Sequence, residues 1–370
     1  KQLTDWEMKS FFVKGWFAVG HTAELAKHGD VKVVDVGEQS FILTRPRKGG
    51  IRAFYNACRH RGARVCSKNT SNCKQLVCPY HWWTYRLDGS LKATPPVVSP
   101  PEKKETLGLV PVAHVDTFAG LIFLNQDPDA APLSDTLGDL PQKLQRYDLD
   151  GMNMHDMKEY SIGANWKLAI ENFIDFYHIN AVHPALSEFS CVSNHMAYQG
   201  SGDYIGFVTS PLTDCGGPGD SGNFNSWQRV NKTEKSAALF FTIFPNVCIT
   251  IYPHSVYTLI TLPTSEPTRT YEQLSLLMAP GAKLEGEDEA TYKGKCDALM
   301  EFVCQVNDED VAAIENLQRG MRVARQTNMH GQFLPEYDWP IHRFHAMILN
   351  GMKDEWRIHQ KRVDEKLFPR

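Results

Sequence analysis

Asn56-Ala57-Cys58-Arg59-His60-Arg61-Gly62, followed by Cys78-Pro79-Tyr80-His81 with seventeen residues between His60 and Cys78, is the passage on which the fold turns. Each half sets one cysteine and one histidine on a short segment, C-x-H and then C-x2-H. On either side lie short β-type runs: Val31-Lys32-Val33-Val34-Asp35-Val36, Phe41-Ile42-Leu43-Thr44, Ile51-Arg52-Ala53-Phe54-Tyr55 and Gly120-Leu121-Ile122-Phe123-Leu124. Gly49-Gly50 and Asp88-Gly89 fall between such runs, where hairpin turns belong. The pattern predicts a small all-β domain from about Val31 to Leu124, with the two Cys/His segments at hairpin tips. Pro95-Pro96 through Pro100-Pro101 reads as an extended surface loop.

Two loops that each offer a thiolate and an imidazole can grip one metal centre from both sides. Two cysteines on one iron and two histidines on the other is the ligation of a Rieske [2Fe–2S] cluster, and neutral imidazoles in place of two thiolates raise its potential. A Cys2His2 zinc site uses the same four residues. Its usual order, however, keeps both cysteines in one half and both histidines in the other. Cys66 and Cys73, between the halves, read as packing residues, with a disulfide between them left open.

Composition bounds the rest. The 370 residues are 42% hydrophobic and 22% charged, which excludes a disordered chain and leaves room for two or three domains. A net charge of −4, from 39 basic and 43 acidic residues, gives no field that favours nucleic acid. No apolar run reaches the length of a membrane span. The longest stretch, Ala237 to Tyr252, contains Pro245, Asn246 and two threonines and reads as paired strands, so no membrane association is expected. Nine cysteines, an odd number spread thinly, argue for reduced thiols. The N-terminus has neither a hydrophobic signal core nor an initiator Met. The expected location is the cytoplasm, or an organelle matrix or stroma if a targeting segment has been trimmed.

A second constellation follows a linker at roughly 127–150. Asn165 to His178 has the apolar spacing of a helix, and Asp175, His178 and His183 form D-x2-H-x4-H. On a helix Asp175 and His178 share a face. His183, five residues on, requires a change of conformation near Asn180. Two imidazoles and one carboxylate make the facial triad of non-haem Fe(II) oxygenases, leaving the opposite side of the iron open. The third ligand is sought in Asn307-Asp308-Glu309-Asp310, within a helical pattern running from Asp288 to Arg325. Asp310 lies above Ile314 and Leu317 on the apolar stripe, where a buried carboxylate needs a compensating cation. Asp308 shares a face with Ala312, Glu315 and Arg319, and Glu309 with Ala313 and Asn316. Asp310 is therefore the expected ligand, and Asp308 the acid that suits the helix dipole.

Between these segments, Gly200 to Thr233 is Gly/Ser/Asp-rich and is expected to be a long loop. Strands are expected at 237–244, 247–252, 256–262 and 272–278. His342 and His345 read as part of a packed helix face, and the spacing of His195 and His254 assigns them nothing. Gly217-Pro218-Gly219-Asp220-Ser221-Gly222 satisfies G-x-G-x-x-G but lacks the flanking strand and helix that a dinucleotide site requires. Without a nicotinamide or flavin site of its own, the chain must draw electrons from another protein.

These residues resemble the catalytic (alpha) subunits of Rieske non-haem iron oxygenases over nearly the whole chain. The resemblance rests on the Cys58/His60 and Cys78/His81 segments, on Asn165-Trp166-Lys167-Leu168 leading to Glu171-Asn172 and Tyr177-His178, and on Glu309-Asp310 followed by Gln318-Arg319-Gly320. It implies an α+β fold, with an all-β Rieske domain (14–130) inserted in a helix-grip catalytic domain (1–13 and 131–370). It implies a [2Fe–2S] cluster on Cys58, His60, Cys78 and His81, and a mononuclear iron on His178, His183 and Asp310. It also implies a homotrimer in which Asp175 links an iron histidine to a cluster histidine of a neighbouring subunit. The expected reaction is O2-dependent hydroxylation of a small organic substrate, with electrons from a separate NAD(P)H-dependent reductase, with or without a ferredoxin. Glu336-Tyr337-Asp338-Trp339-Pro340 through Phe344-His345 resembles the choline-monooxygenase and betaine-demethylase branch, which implies a quaternary ammonium substrate. Hydroxylation of an aromatic ring is the alternative within the class, and an electron carrier without the second iron the alternative outside it. One departure stands out: the family often has Gly-Trp after the second cluster histidine, where this chain has Trp82-Trp83.

Overall fold

The computed structural model describes residues 2–96, 102–188, 190, 192–197, 200–212 and 223–357. The latter part of the proline-rich passage and the G-x-G-x-x-G segment lie outside them. The chain divides into two compact units, Phe12–Ala130 and a second made of Lys1–Phe11 with Ala131–Arg370.

The first unit is all β. Strands β1 (Phe17–His21), β8 (His114–Phe118) and β9 (Leu121–Asn125) form one antiparallel sheet; β2 (Val31–Val36), β3 (Gln39–Thr44) and β4 (Arg52–Tyr55) form a second; and β5 (Leu76–Val77), β6 (Thr84–Tyr85) and β7 (Leu91–Ala93) form a third. A core of Val31, Ile42, Phe54, Leu76, Trp83 and Tyr85, drawn largely from these strands, underlies the loops after β4 and β5. Cys66 and Cys73 are free thiols packed against this core.

The second unit is α+β. It begins with α1 (Gln2–Glu7), whose buried Glu7 accepts from Lys167 Nζ at 2.7 Å. The 127–150 stretch contains two short helices, α2 (Leu133–Leu137) and α3 (Leu140–Leu144). A seven-stranded antiparallel sheet follows, built from β10 (Asn153–Ile162), β11 (His195–Ala197), β12 (Tyr204–Thr209), β13 (Ala238–Ile243), β14 (Val247–Ile251), β15 (Ser255–Pro263) and β16 (Thr270–Met278), in the order β10-β16-β15-β14-β13-β12-β11. Strand β12 corrects the expected loop: Gly/Ser/Asp-rich flanks mask the run Tyr204-Ile205-Gly206-Phe207-Val208, which pairs along β13.

Helices α4 (Trp166–Ile174), α5 (Ile179–Val182) and α6 (Pro184–Ser187) lie between β10 and β11. The 39-residue α7 (Glu289–Thr327) is capped by Asp288, which accepts from Thr291 N at 2.9 Å. Its buried residues Cys296, Leu299, Met300, Val303, Asn307 and Ile314 recur at helical spacing and turn one face to the sheet. Leu317 is exposed, so the apolar stripe ends one turn earlier than the sequence implies. In α8 (Trp339–Gly351) Phe344 and Ile348 supply the packed face, while His342 and His345 are exposed, a second correction. Among the described residues, no helix is long and apolar enough to cross a membrane.

Candidate metal centres

The two Cys/His loops of the β unit are one turn used twice. Gly62 N donates to Cys58 O at 2.8 Å and Cys58 N to Ala63 O at 2.9 Å; Trp82 N donates to Cys78 O and Cys78 N to Trp83 O, both at 2.9 Å. Each turn closes through a residue of positive φ, +76° at Gly62 and +59° at Trp82. That conformation costs nothing at glycine and about 1–2 kcal/mol at a residue with a Cβ. The departure at Trp82 therefore has a physical meaning: the position calls for glycine. The indole itself is 72% exposed.

The repeated turn brings His60 Nδ1 within 3.1 Å of His81 Nδ1, while Cys58 and Cys78 are buried beneath. His60 stacks on Trp83 with centroids 5.2 Å apart and planes 5° from parallel. Tyr85 is wholly buried; its hydroxyl takes the Arg59 N–H at 3.1 Å and lies 3.1 Å from Cys58 Sγ, free to donate to it. Burial pushes the Cys58 thiol up, and the Tyr85 hydroxyl pulls it back. Two nitrogens side by side over two buried sulfurs form a mixed donor set that fits the Rieske ligation considered from the sequence.

The second centre is assembled from distant parts of the chain. Helix α4 starts on Asn165, whose side chain accepts from Lys167 N at 3.1 Å, and stops at Ile174. Asp175 is extended, so Asp175 and His178 share no helix face. The break expected near Asn180 falls instead at Asp175 and at His183, since Asn180 lies within α5. Pro184 opens α6 and holds the preceding His183 out of helical conformation (φ −120°, ψ 75°). These two breaks turn both imidazoles toward α7.

There His178 Nε2 and His183 Nε2 lie 3.1 Å apart, and Asp310 Oδ1 is 3.3 Å from the first and 2.9 Å from the second. The three ligating atoms fall within 4.8 Å of one another, a group that can hold a metal ion. Burial alone would lower the His178 pKa, but Asp175 and Asp310 outweigh it and lift it to about 9. Burial would likewise raise Asp310, and the two histidines hold it down at about 2.

Each ligand has a partner behind it. Glu309 Oε2 takes the Nδ1 proton of His183 at 2.8 Å, while its Oε1 accepts from Gln305 at 3.1 Å. A carboxylate can only accept, so this contact fixes the tautomer that leaves Nε2 free to bind a metal. Asn172 Nδ2 donates to Asp310 Oδ1 at 2.6 Å. Asp175 Oδ2 stands 3.5 Å from His178 Nδ1, and its Oδ1 accepts from Tyr177 N at 2.8 Å. Glu309 and Asn172 escaped the ligand search. Their signal was adjacency to Asp310 and a position one turn before Asp175, which identifies them only once the helices are placed. Asp308 points instead toward Lys158, 3.7 Å away. Beside Asp310 opens a narrow cavity lined by Phe173, Tyr252, Tyr257, Phe302 and Asn307.

Residues 149–354 match the ring hydroxylating alpha subunit (catalytic domain) and residues 15–116 the Rieske [2Fe–2S] domain. The chain is 32% identical over 214 residues to a glycine betaine monooxygenase oxygenase subunit of Pseudomonas aeruginosa, which covers 57% of this chain and 50% of that one. It is 31% identical over 278 residues to a biphenyl 2,3-dioxygenase subunit alpha of Rhodococcus jostii, covering 66% and 60%. The chain thus spans about half the length of the curated relatives it matches. A solved quaternary ammonium Rieske monooxygenase, CntA, superimposes with a TM-score of 0.77 over 94% of this chain and 91% of its own at 21% identity, a likeness of fold.

Proposed function

The chain belongs to the ring-hydroxylating alpha-subunit family, and from that premise we propose that it is the oxygenase component of a multi-component Rieske system acting on a quaternary ammonium compound. The observation that carries the reading is the convergence of His178, His183 and Asp310 beside an aromatic-lined cavity. Cys58, His60, Cys78 and His81 hold the [2Fe–2S] cluster, and His178, His183 and Asp310 the mononuclear iron. When bound, the cluster supplies single electrons and the iron binds O2, chemistry that no side chain here provides.

The protein's own part is positional. Glu309 and Asn172 orient His183 and Asp310, and the cavity keeps water from the reacting carbon. Asp175, beside His178, links the iron site to the cluster of a neighbouring copy in a homotrimer. A separate NAD(P)H-dependent reductase, with or without a ferredoxin, feeds that cluster. The faces of Phe173, Tyr252, Tyr257 and Phe302 suit a cation that cannot donate hydrogen bonds. Hydroxylation of an N-methyl carbon gives a hemiaminal that collapses to the lower amine and formaldehyde without further catalysis. The likeness to the biphenyl dioxygenase subunit favours a second reading, oxygenation of an aromatic ring in the same cavity.

Oxygen uptake with a generic reductase, screened over quaternary amines and simple aromatics, separates the two. The proposal expects uptake and formaldehyde release with the amines. Uptake with aromatics alone selects the second reading. Metal analysis tests the class: three irons and two acid-labile sulfides per chain fit the oxygenase, whereas two irons mean a carrier and zinc a binding module.

A further inference from the structure

The sheet face that forms the floor of the cavity continues past it. Tyr257 and Leu259 on β15 and Leu274 on β16 line the cavity, and Leu259 pairs with Leu274. Two residues further along the same face the next rung is Thr261 paired with Glu272. Glu272 is 3% exposed and accepts from Asn307 Nδ2 at 2.9 Å; Asn307 itself lines the cavity, one turn of α7 before Asp310. Among the described residues no cation pairs with Glu272. Burial, the largest influence, lifts its carboxyl to about 7, with the Asn307 and Thr261 hydrogen bonds pulling it down and Asp310 pushing it up. A buried carboxyl without a counter-ion tends to hold its proton, and a positive charge bound nearby favours its ionised form.

Resting on the quaternary-ammonium reading above, we infer that Glu272, set behind Asn307, is the counter-charge that selects a cationic substrate in this cavity. A trialkylammonium group spreads its charge over methyl groups and offers no hydrogen-bond donor. It needs ring faces in contact and a negative charge nearby, and a carboxylate one residue removed supplies that charge without occupying the space. An aromatic hydrocarbon gains nothing from it. Glu272 is a specificity-determining residue here and touches neither reacting atoms nor metal ligands.

The test compares two isosteric pairs on the metal-loaded holoenzyme under anaerobic conditions by calorimetry: choline against 3,3-dimethylbutan-1-ol, and glycine betaine against 3,3-dimethylbutyrate. Wild type is expected to bind the cationic member of at least one pair at least about tenfold tighter. Glu272→Gln should weaken the ammonium-bearing member about tenfold to a hundredfold and its carbon isostere, which lacks the positive charge, less than about threefold, with iron content and visible absorption unchanged. If Glu272→Gln does not fold, Glu272→Met, which also removes the buried charge, is read the same way. A cation preference that survives the substitution, or equal losses for both members or of iron, overturns the inference and leaves the functional reading standing. No cation preference in wild type overturns both.

Discussion

The two metal centres are built in opposite ways. In the β unit, both halves lie within one short stretch, and each is shaped by its own backbone: the same pair of main-chain hydrogen bonds closes both turns. In the α+β unit the proposed ligands His178 and His183, which flank α5, meet Asp310 of α7, 127 residues after His183, and His183 and Asp310 are each held by a side chain from elsewhere in the fold. A centre made by a local turn depends on a few φ/ψ values. A centre made by packing depends on where a 39-residue helix settles against a sheet. The first should therefore resist side-chain changes nearby, and the second should feel them.

The sharpest break is His178→Ala. It should abolish mononuclear iron binding and turnover while leaving the visible absorption of the cluster intact, checked by metal analysis and spectrum on one sample. Bleaching in that variant would mean that the two centres are not independent. Asp175→Ala should keep both metals yet lower turnover by about two orders of magnitude, as expected of a linking group rather than a ligand. Near-normal turnover would remove it from the path.

Glu309→Gln should weaken Co(II) or Fe(II) binding about tenfold to a hundredfold by releasing the His183 tautomer, and leave the cluster untouched. The same site predicts a pH slope. Both imidazoles must be unprotonated at the metal-binding nitrogen; the pKa of His178 is raised to about 9 and that of His183 is raised too, so affinity should climb at least about tenfold per pH unit toward pH 9 and level off above it. A flat titration from pH 6 to 9 would contradict this. The smallest effect belongs to the locally built centre. Trp82→Gly should relieve the positive φ and stabilise the β unit by about 0.5–1 kcal/mol, read as a higher thermal midpoint. A lower midpoint would show that the exposed indole contributes more than its backbone costs.

The difference between the centres also governs how much of each was legible beforehand. C-x-H and C-x2-H could be read because their chemistry lies in adjacent residues. The convergence of His178, His183 and Asp310 was legible as residue types, since a carboxylate on an apolar stripe asks for a cation. The break that aims His178 was misplaced, because nothing before Pro184 announces where a short amphipathic helix stops. Strand β12 was hidden by its Gly- and Ser-rich flanks, since a six-residue run becomes a strand only when β13 offers it an edge. Glu309 was assigned to the face of Ala313 and Asn316, correctly for α7 alone and silently about the imidazole that meets it.

By itself, the sequence determined which residues could serve as donors, the β texture around the first pair and the helix that carries the last acid, because these follow from side-chain chemistry and from periods of two and 3.6 residues. Tertiary structure alone decided that Glu309 fixes a tautomer, that Asn172 meets Asp310 and that Glu272 lies buried beside an aromatic cavity without a cation. Those facts depend on distances between segments more than a hundred residues apart or on neighbouring rungs of a sheet, and no local pattern encodes them.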